Sequence, residues 1–405
     1  MTLPDLTRLP LAQKRAILAA LGKAKSSTVA PILSKNGSTH LPVGNIRKKA
    51  MDFSLLFFSE ECSESEQDRY YLVRECAQFA DKNGFKAIWV PERHFHRFGA
   101  IYPNPAVLAA ALASITRNIR LRAGSVVLPL EDPLRVVEAW AMVDNLSGGR
   151  VDISFASGWN PNDFVLSPET FARTKEVLSE RIQEVRHLWR GGTVQRKNGK
   201  GEAVEIRAFP SPIQTELDTW FTAAGNPKTF DEAGRLGCNL LTMLFSSSLE
   251  ELSQKIQSYR LSWERGNNVG EGCVTLMLHS FLDKSPDVVQ EKVRAPFLKY
   301  IRSSLDVQRL GQAAQWDEKQ LNQMAEFAYE RYYRTGALFG TPESCFNLVN
   351  TASESGVNEI ACQLDFGIDA ESVLRSLPYL KNLKEKYELS LTPVSIQNPG
   401  WKDGS

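Results

Sequence analysis

No stretch of the sequence approaches the roughly 18 consecutive apolar residues that span a bilayer, and the N-terminus has no long apolar segment ahead of a small-residue cleavage site. Both absences point to a cytoplasmic protein without a membrane partner. A Gly-x-Gly-x-x-Gly turn, a Walker loop, a His-Glu-x-x-His helix, a Gly-x-Ser-x-Gly elbow and any paired Cys/His spacing are also missing. No metal is therefore expected, nor a dinucleotide held on a Rossmann loop or a serine-hydrolase elbow. The six cysteines (Cys62, Cys76, Cys238, Cys273, Cys345 and Cys362) are scattered, several inside apolar runs, as reduced core residues of a cytosolic protein would be. Charge of one sign is lacking too: the net charge is +1, which gives no reason to expect nucleic acid.

The average conceals an asymmetry. Residues 1–50 carry nine Lys/Arg against Asp5 alone, so the remainder is net acidic. Leu11, Ile17, Leu18 and Leu21 fall at helical spacing before Gly22, and residues 23–50, rich in Ser, Lys, Pro and Gly, read as a linker in which His40 is idle. Three segments are expected: helix and basic linker over 1–50, a folded domain over 51–385, and a tail over 386–405.

Within the domain, short apolar runs alternate with helical periods. FSLLFF (53–58), FKAIWV (85–90), IRLRAGSVVL (119–128), RVDISFAS (150–157), WFTAA (220–224), NLLTML (239–244), CVTLMLHSFL (273–282) and NEIACQLDF (358–366) are the candidate strands. Eight strands, each leading toward a helix, predict an α/β fold: a (β/α)8 TIM barrel rather than an open sheet. Residues 192–219 break the count as an excursion after strand 4, with the character of a hairpin. Residues 284–340 form a helical insertion before strand 8, with helical pattern over 288–305 and 318–336. Insertions on the βα side of a barrel tend to cover the active site.

Chemistry-bearing residues collect at strand ends. PERHFHRFG (91–99) follows strand 2 and gathers Glu92, Arg93, His94, His96 and Arg97, including two of the chain's five histidines. At the C-terminal face of a barrel, imidazoles donate, accept and move protons near neutral pH. The competing reading is a surface ion-pair cluster. FASGWNPNDF (155–164) places Gly158 and Trp159 after strand 4, suited to a backbone approaching a flat ring with an aromatic beside it. In TAAGNPKTFDEAG (222–234), Gly225 and Asn226 precede a helix with Thr229 in its first turn, which describes either a phosphate site or an ordinary N-capped turn. His187 reads as a packing or surface residue, and His279 stands where the barrel interior is within reach.

WVPERHFHRFG with YPNP, followed by AGSVVLPLEDPLRVVEAWAMVDNLSGGRVDISFASGWNPNDF, resembles the bacterial-luciferase-like flavin-dependent monooxygenases over about residues 51–385. PERHFH, FASGWNPNDF and IACQLDFG are most similar to the subgroup embedded in non-ribosomal peptide and polyketide synthases. The resemblance implies reduced FMN supplied by a separate flavin reductase, O2 captured as a flavin C4a-(hydro)peroxide, and hydroxylation of an acyl or aminoacyl thioester tethered to a carrier protein during natural-product biosynthesis.

Carried over by motif, Glu92, His94 and His96 lie near the isoalloxazine. Ala156, Ser157 and Gly158 line the flavin beside Trp159, and Gly225, Asn226 and Thr229 hold its phosphate. Two positions depart from the family pattern. Arg93 stands where luciferase has its catalytic histidine, which makes it a candidate catalytic residue, and Ala156-Ser157-Gly158 stands where luciferase has Cys-Arg-Gly, leaving Arg181 or Lys228 to supply the phosphate's cation. The acidic surface of a carrier protein is expected to meet Arg93, Arg97 or the basic N-terminus. Two copies pairing through barrel helices is compatible with the family. The rival readings are a deazaflavin-dependent oxidoreductase and a non-catalytic flavin-binding domain.

Overall fold

The computed structural model describes residues 50–58, 68–97, 101–244, 247–309 and 317–391. The helix and linker expected over 1–50, with His40, lie outside these residues, as do Cys62 and most of the tail. Eight parallel strands close into a barrel in the order β1 (Asp52–Leu56), β2 (Ala87–Val90), β3 (Arg120–Val127), β4 (Val151–Ala156), β7 (Thr219–Ala223), β8 (Asn239–Met243), β9 (Val274–Leu282) and β11 (Glu359–Gln363), with β11 returning to β1. These are the eight strands the apolar runs predicted. The expected excursion is an antiparallel hairpin of β5 (Val194–Lys197) and β6 (Ala203–Ile206).

Helices follow the strands because the sequence starts and stops them there. In α1 (Tyr71–Lys82), Leu72, Val73, Cys76, Ala77 and Ala80 make one buried stripe. Asn104 caps α2 (Pro105–Ile115) and Asp132 caps α3 (Pro133–Ser147), each with proline at the start, and Gly148 ends α3 at φ +73°. Next come α4 (Thr174–Trp189), α5 (Pro227–Arg235) and α6 (Leu249–Arg265), the last opened by a reciprocal Ser248–Glu251 capping box. A 3-10 segment, Pro168–Arg173, leads into α4.

The insertion supplies α7 (Pro286–Arg309) and α8 (Glu318–Arg331), and it holds a unit the sequence reading missed. Leu338–Gly340 (β10) pairs in parallel with the end of β9 and leads into α9 (Pro342–Glu354), opened by a Thr341–Ser344 capping box. Three residues are too few to register as an apolar run. The final helix, α10 (Ala370–Leu391), contains the boundary expected at 385, and Leu383 and Tyr387 are both fully buried. Its apolar period continues past that position.

The barrel is filled in layers. Leu56, Trp89, Trp220, Leu241, Met277 and Ala361 form an interior apolar cluster. Beneath it lies a charged plug in which Arg122 donates Nε to Asp152 at 2.7 Å and Nη1 to Glu359 at 2.9 and 2.7 Å, its guanidinium lying over the rings of Trp89 and Trp220. Ser54 and Trp89 also donate to Glu359, at 2.6 and 3.1 Å. The two carboxylates hold the buried guanidinium above its usual pKa. Every charge in this layer has its counter-charge and its donors, which is the condition for burying it at all. Among the described residues no helix is long and apolar enough to cross a membrane.

Candidate active site

The C-terminal mouth of the barrel is built differently. After β2 the chain leaves at Pro91 and turns through Phe95, a non-glycine residue at φ +51° whose ring is 64% exposed. Glu92 is buried and fixed at both oxygens: Oε1 lies 2.8 Å from Nε2 of His94, and Oε2 accepts the Val127 backbone N–H at 2.9 Å. This carboxylate raises the His94 pKa above the ordinary histidine value, against the opposing effect of burial. Burial raises the carboxyls of Glu131 and Asp163, both of which feel the charge of His94. One imidazole and three carboxylates thus form a coupled group at the ends of β2, β3 and β4. Asp163, held by the Asn160 amide at 2.7 Å, was inside the quoted motif but unremarked, because sequence spacing does not show that its loop folds back toward His94.

Arg93 is half-buried. Its guanidinium lies 4.4 Å from the centre of the Phe58 ring, burial pulls its pKa down, and Tyr300, Asp163 and Asp365 oppose that effect. Of the basic elements expected to meet an acidic carrier protein, this arginine packs on an apolar ring. Arg97 is exposed, and His96 is half-buried beside the pair.

Gly158, at φ +72°, sits where a Cβ would come within 2.9 Å of the Phe164 ring and of Val127, so the β4 loop can lie this close to β3 only with glycine there. Ala156 and Ser157 are half-buried beside it, while Trp159 is 52% exposed at the rim rather than packed against the barrel. Inward-facing hydroxyls meet nearby. Ser154 Oγ is 2.8 Å from Thr222 Oγ1 and 3.1 Å from Ser125 Oγ, and Ser125 and Thr222 are themselves hydrogen-bonded. Sequence alternation along β4 and β7 contained this cluster, but no motif marked it.

At the start of α5, Asn226 is the N-cap: its side chain accepts from Lys228 N–H at 3.1 Å and its carbonyl from Thr229 N–H at 2.9 Å. Of the two alternatives read from sequence, the capped turn is present, and it engages two of the amides expected to face a phosphate. Gly225 is exposed, with open space where its Cβ would be. Arg181, one of the two replacement cations, donates Nη1 to the carbonyls of Leu128, Pro129 and Glu131, tying α4 to the turn after β3. Lys228 remains exposed at the helix start. His187 is a surface residue, its Nε2 3.1 Å from the Thr193 carbonyl oxygen.

Hydroxyl donors, a close-lying glycine backbone and buried proton-handling side chains suit a flat heterocycle with hydrogen-bonding edges. The fold is a (β/α)8 barrel, an architecture whose enzymes hold their chemistry at the C-terminal mouth. The luciferase-like monooxygenase family profile matches residues 51–359, and the chain belongs to that family. It is a flavin-dependent monooxygenase. Over 245 residues it is 29% identical to the oxygenase component of the flavin-dependent trigonelline monooxygenase of Acinetobacter baylyi, covering 59% of this chain and 67% of that one. Its fold matches the monooxygenase RslO1 from Streptomyces bottropensis with a TM-score of 0.68 at 20% identity, over 84% of this chain and all of that one. An F420-dependent secondary alcohol dehydrogenase matches with a TM-score of 0.64 at 17% identity, over 84% and 99% of the two chains.

Proposed function

We propose that this chain is the FMN-using oxygenase of a two-component system, which receives reduced FMN from a flavin reductase and hydroxylates an acyl or aminoacyl thioester held on a carrier protein during natural-product biosynthesis. The observation that carries the oxygenase reading is the buried Glu92–His94 pair facing the mouth, with His94 held in its protonated form to higher pH than a free histidine. The relative from Acinetobacter baylyi, named as an oxygenase component, supports a separate reductase.

When bound, FMN supplies the electron pair and activates O2. This chain's residues do the rest. His94, anchored through Nε2 to Glu92, holds a second ring proton on Nδ1 that it can deliver at the mouth and recover. Arg93 brings further positive charge to the same loop, and His96 a second imidazole. Ser125, Ser154 and Thr222 would offer hydroxyls to the polar edge of the flavin, Gly158 would admit it closely, and Ala156, Ser157 and Trp159 are the residues that would lie along its side. Gly225, Asn226, Thr229 and Lys228 are the residues that would meet its phosphate. The insertion packs its aromatic side chains over β9 and β11 and excludes water from that side.

For the carrier protein, the exposed Arg97 and the basic N-terminal segment offer the complementary charge. Pairing of two copies finds support in Val107 on α2 and Met142 and Leu146 on α3, which leave large apolar side chains exposed on adjacent barrel helices.

The likeness to an F420-dependent fold keeps the deazaflavin reading as the rival, and one experiment separates them. The purified protein is titrated with FMN and with F420, then supplied with reductase, O2 and a carrier-bound acyl chain. The proposal expects FMN binding and the gain of one oxygen atom in the intact mass of the acyl-carrier; F420 binding without oxygen transfer would overturn it. Arg97→Glu should weaken turnover of the carrier-bound substrate, and unchanged turnover would count against the docking surface.

A further inference from the structure

His279 is the one candidate singled out in the sequence that the account above leaves unused. Along β9, Trp220 Nε1 donates to Thr275 Oγ1 at 3.1 Å and Met277 joins the interior cluster, so the alternation of a strand turns residue 279 inward as well, one step nearer the mouth. There it pairs in register with Gln363 of β11, whose Nε2 donates to Tyr300 Oη at 3.4 Å. The imidazole is only 4% exposed, and its Nε2 is buried without a hydrogen-bond partner. Four rings stand steeply inclined to it: Phe297 at 4.7 Å, Tyr300 at 4.9 Å, Tyr332 at 5.5 Å and Phe366 at 5.8 Å. Three of them come from the insertion.

A buried polar atom left unpaired is destabilising, and a phenylalanine would fill the same aromatic cage at no such cost. Native structures leave such atoms where something else completes them. We propose that His279 is a substrate-recognition residue, its Nε2 forming a hydrogen bond with an uncharged polar group (a carbonyl, amide or hydroxyl) on a substrate whose adjoining part is flat or apolar. Burial pushes the pKa of His279 down to about 3, so at working pH there is no imidazolium here to pair with a carboxylate. The aromatic walls favour an apolar body beside the polar group, with Gln363 and Tyr300 next to it. This inference rests on the reading of the mouth as the oxygenase site and names the chemistry that the site selects.

The test uses the FMN-loaded protein labelled with 15N-histidine, probed with acetophenone and, as its anionic counterpart, benzoate. With five histidines in the chain, the spectrum of His279→Phe assigns the His279 resonances. Acetophenone should shift the His279 imidazole nitrogens and benzoate should not, while His279→Phe should bind FMN normally and acetophenone about tenfold more weakly, the worth of one hydrogen bond. The proposal is overturned if acetophenone leaves the His279 signals unmoved, if benzoate moves them as much, or if His279→Phe binds acetophenone as tightly as the parent. Should that variant fail to fold, assignment through His279→Gln keeps the wild-type shifts decisive. Protein that fails to bind FMN yet shows the acetophenone shift would retain this inference and discard the flavin reading.

Discussion

The two ends of the barrel lumen use the same residue types to opposite effect. At the lower end Arg122 is enclosed by Asp152 and Glu359, each carboxylate receives further donors, and two tryptophan faces seal the layer. At the mouth three carboxylates share one histidine, two of them are pushed toward protonation by burial, and a second histidine keeps a bare nitrogen. Buried charge that is fully matched holds a fold in one register; buried polar groups that are under-matched hold protons and await ligands. The lower layer is therefore read as structure and the upper as function, although arginine, glutamate and tryptophan look equally catalytic in a sequence.

Breaking the lower layer should have the largest effect. Glu359→Ala leaves Arg122 with only Asp152 and should cost about 3–5 kcal/mol, measured as a lower denaturation midpoint with an unchanged slope. An effect within experimental error would remove the structural half of the contrast.

Acid should act on the upper layer next. His279 is neutral in the fold down to a pKa of about 3 but titrates near its ordinary 6.5 when unfolded. Between those values the unfolded chain binds the extra proton, so stability is fully present above pH 6.5 and falls on acidification, by up to about 1.4 kcal/mol per pH unit. The ionisable groups facing the ring, Tyr300 and Tyr332, stay neutral across this window. Unfolding curves of His279→Phe should show a flatter acid limb than the parent.

Gly158→Ala sharpens the contrast at the β4 loop. The added methyl meets Phe164 and Val127 at a left-handed φ, and a cost of about 1–3 kcal/mol should appear together with weaker FMN binding by fluorescence titration. The smallest change tests the proton-handling pair. Removing the charge in Glu92→Gln should let the raised His94 pKa fall back toward 6.5 in an NMR titration, so that the imidazolium is lost at lower pH than in the parent. An unmoved His94 titration would mean that Glu92 does not set its protonation.

Much of this was legible beforehand, for physical reasons that differ by element. The barrel strands announced themselves because parallel strands buried on both faces are continuous apolar runs, and Glu92, His94 and Gly158 because they sit at strand ends in recognisable segments. β10 was too short to read. The inward cage of His279, the return of Asp163 toward His94 and the packing of Arg93 on Phe58 depend on contacts between loops far apart in the chain, to which no local period responds. The phosphate segment 225–229 was ambiguous for another reason: a capping asparagine and an anion site use the same amides.

We propose that the mouth binds reduced flavin and governs its reaction with oxygen through His94. The most direct measurement mixes the protein anaerobically with photoreduced FMN, jumps it into oxygenated buffer and follows flavin absorbance. Reoxidation should pass through a transient spectrum that outlasts that of free FMN and is shortened in His94→Ala. Reoxidation indistinguishable from free FMN, identical in the parent and in His94→Ala, would contradict it.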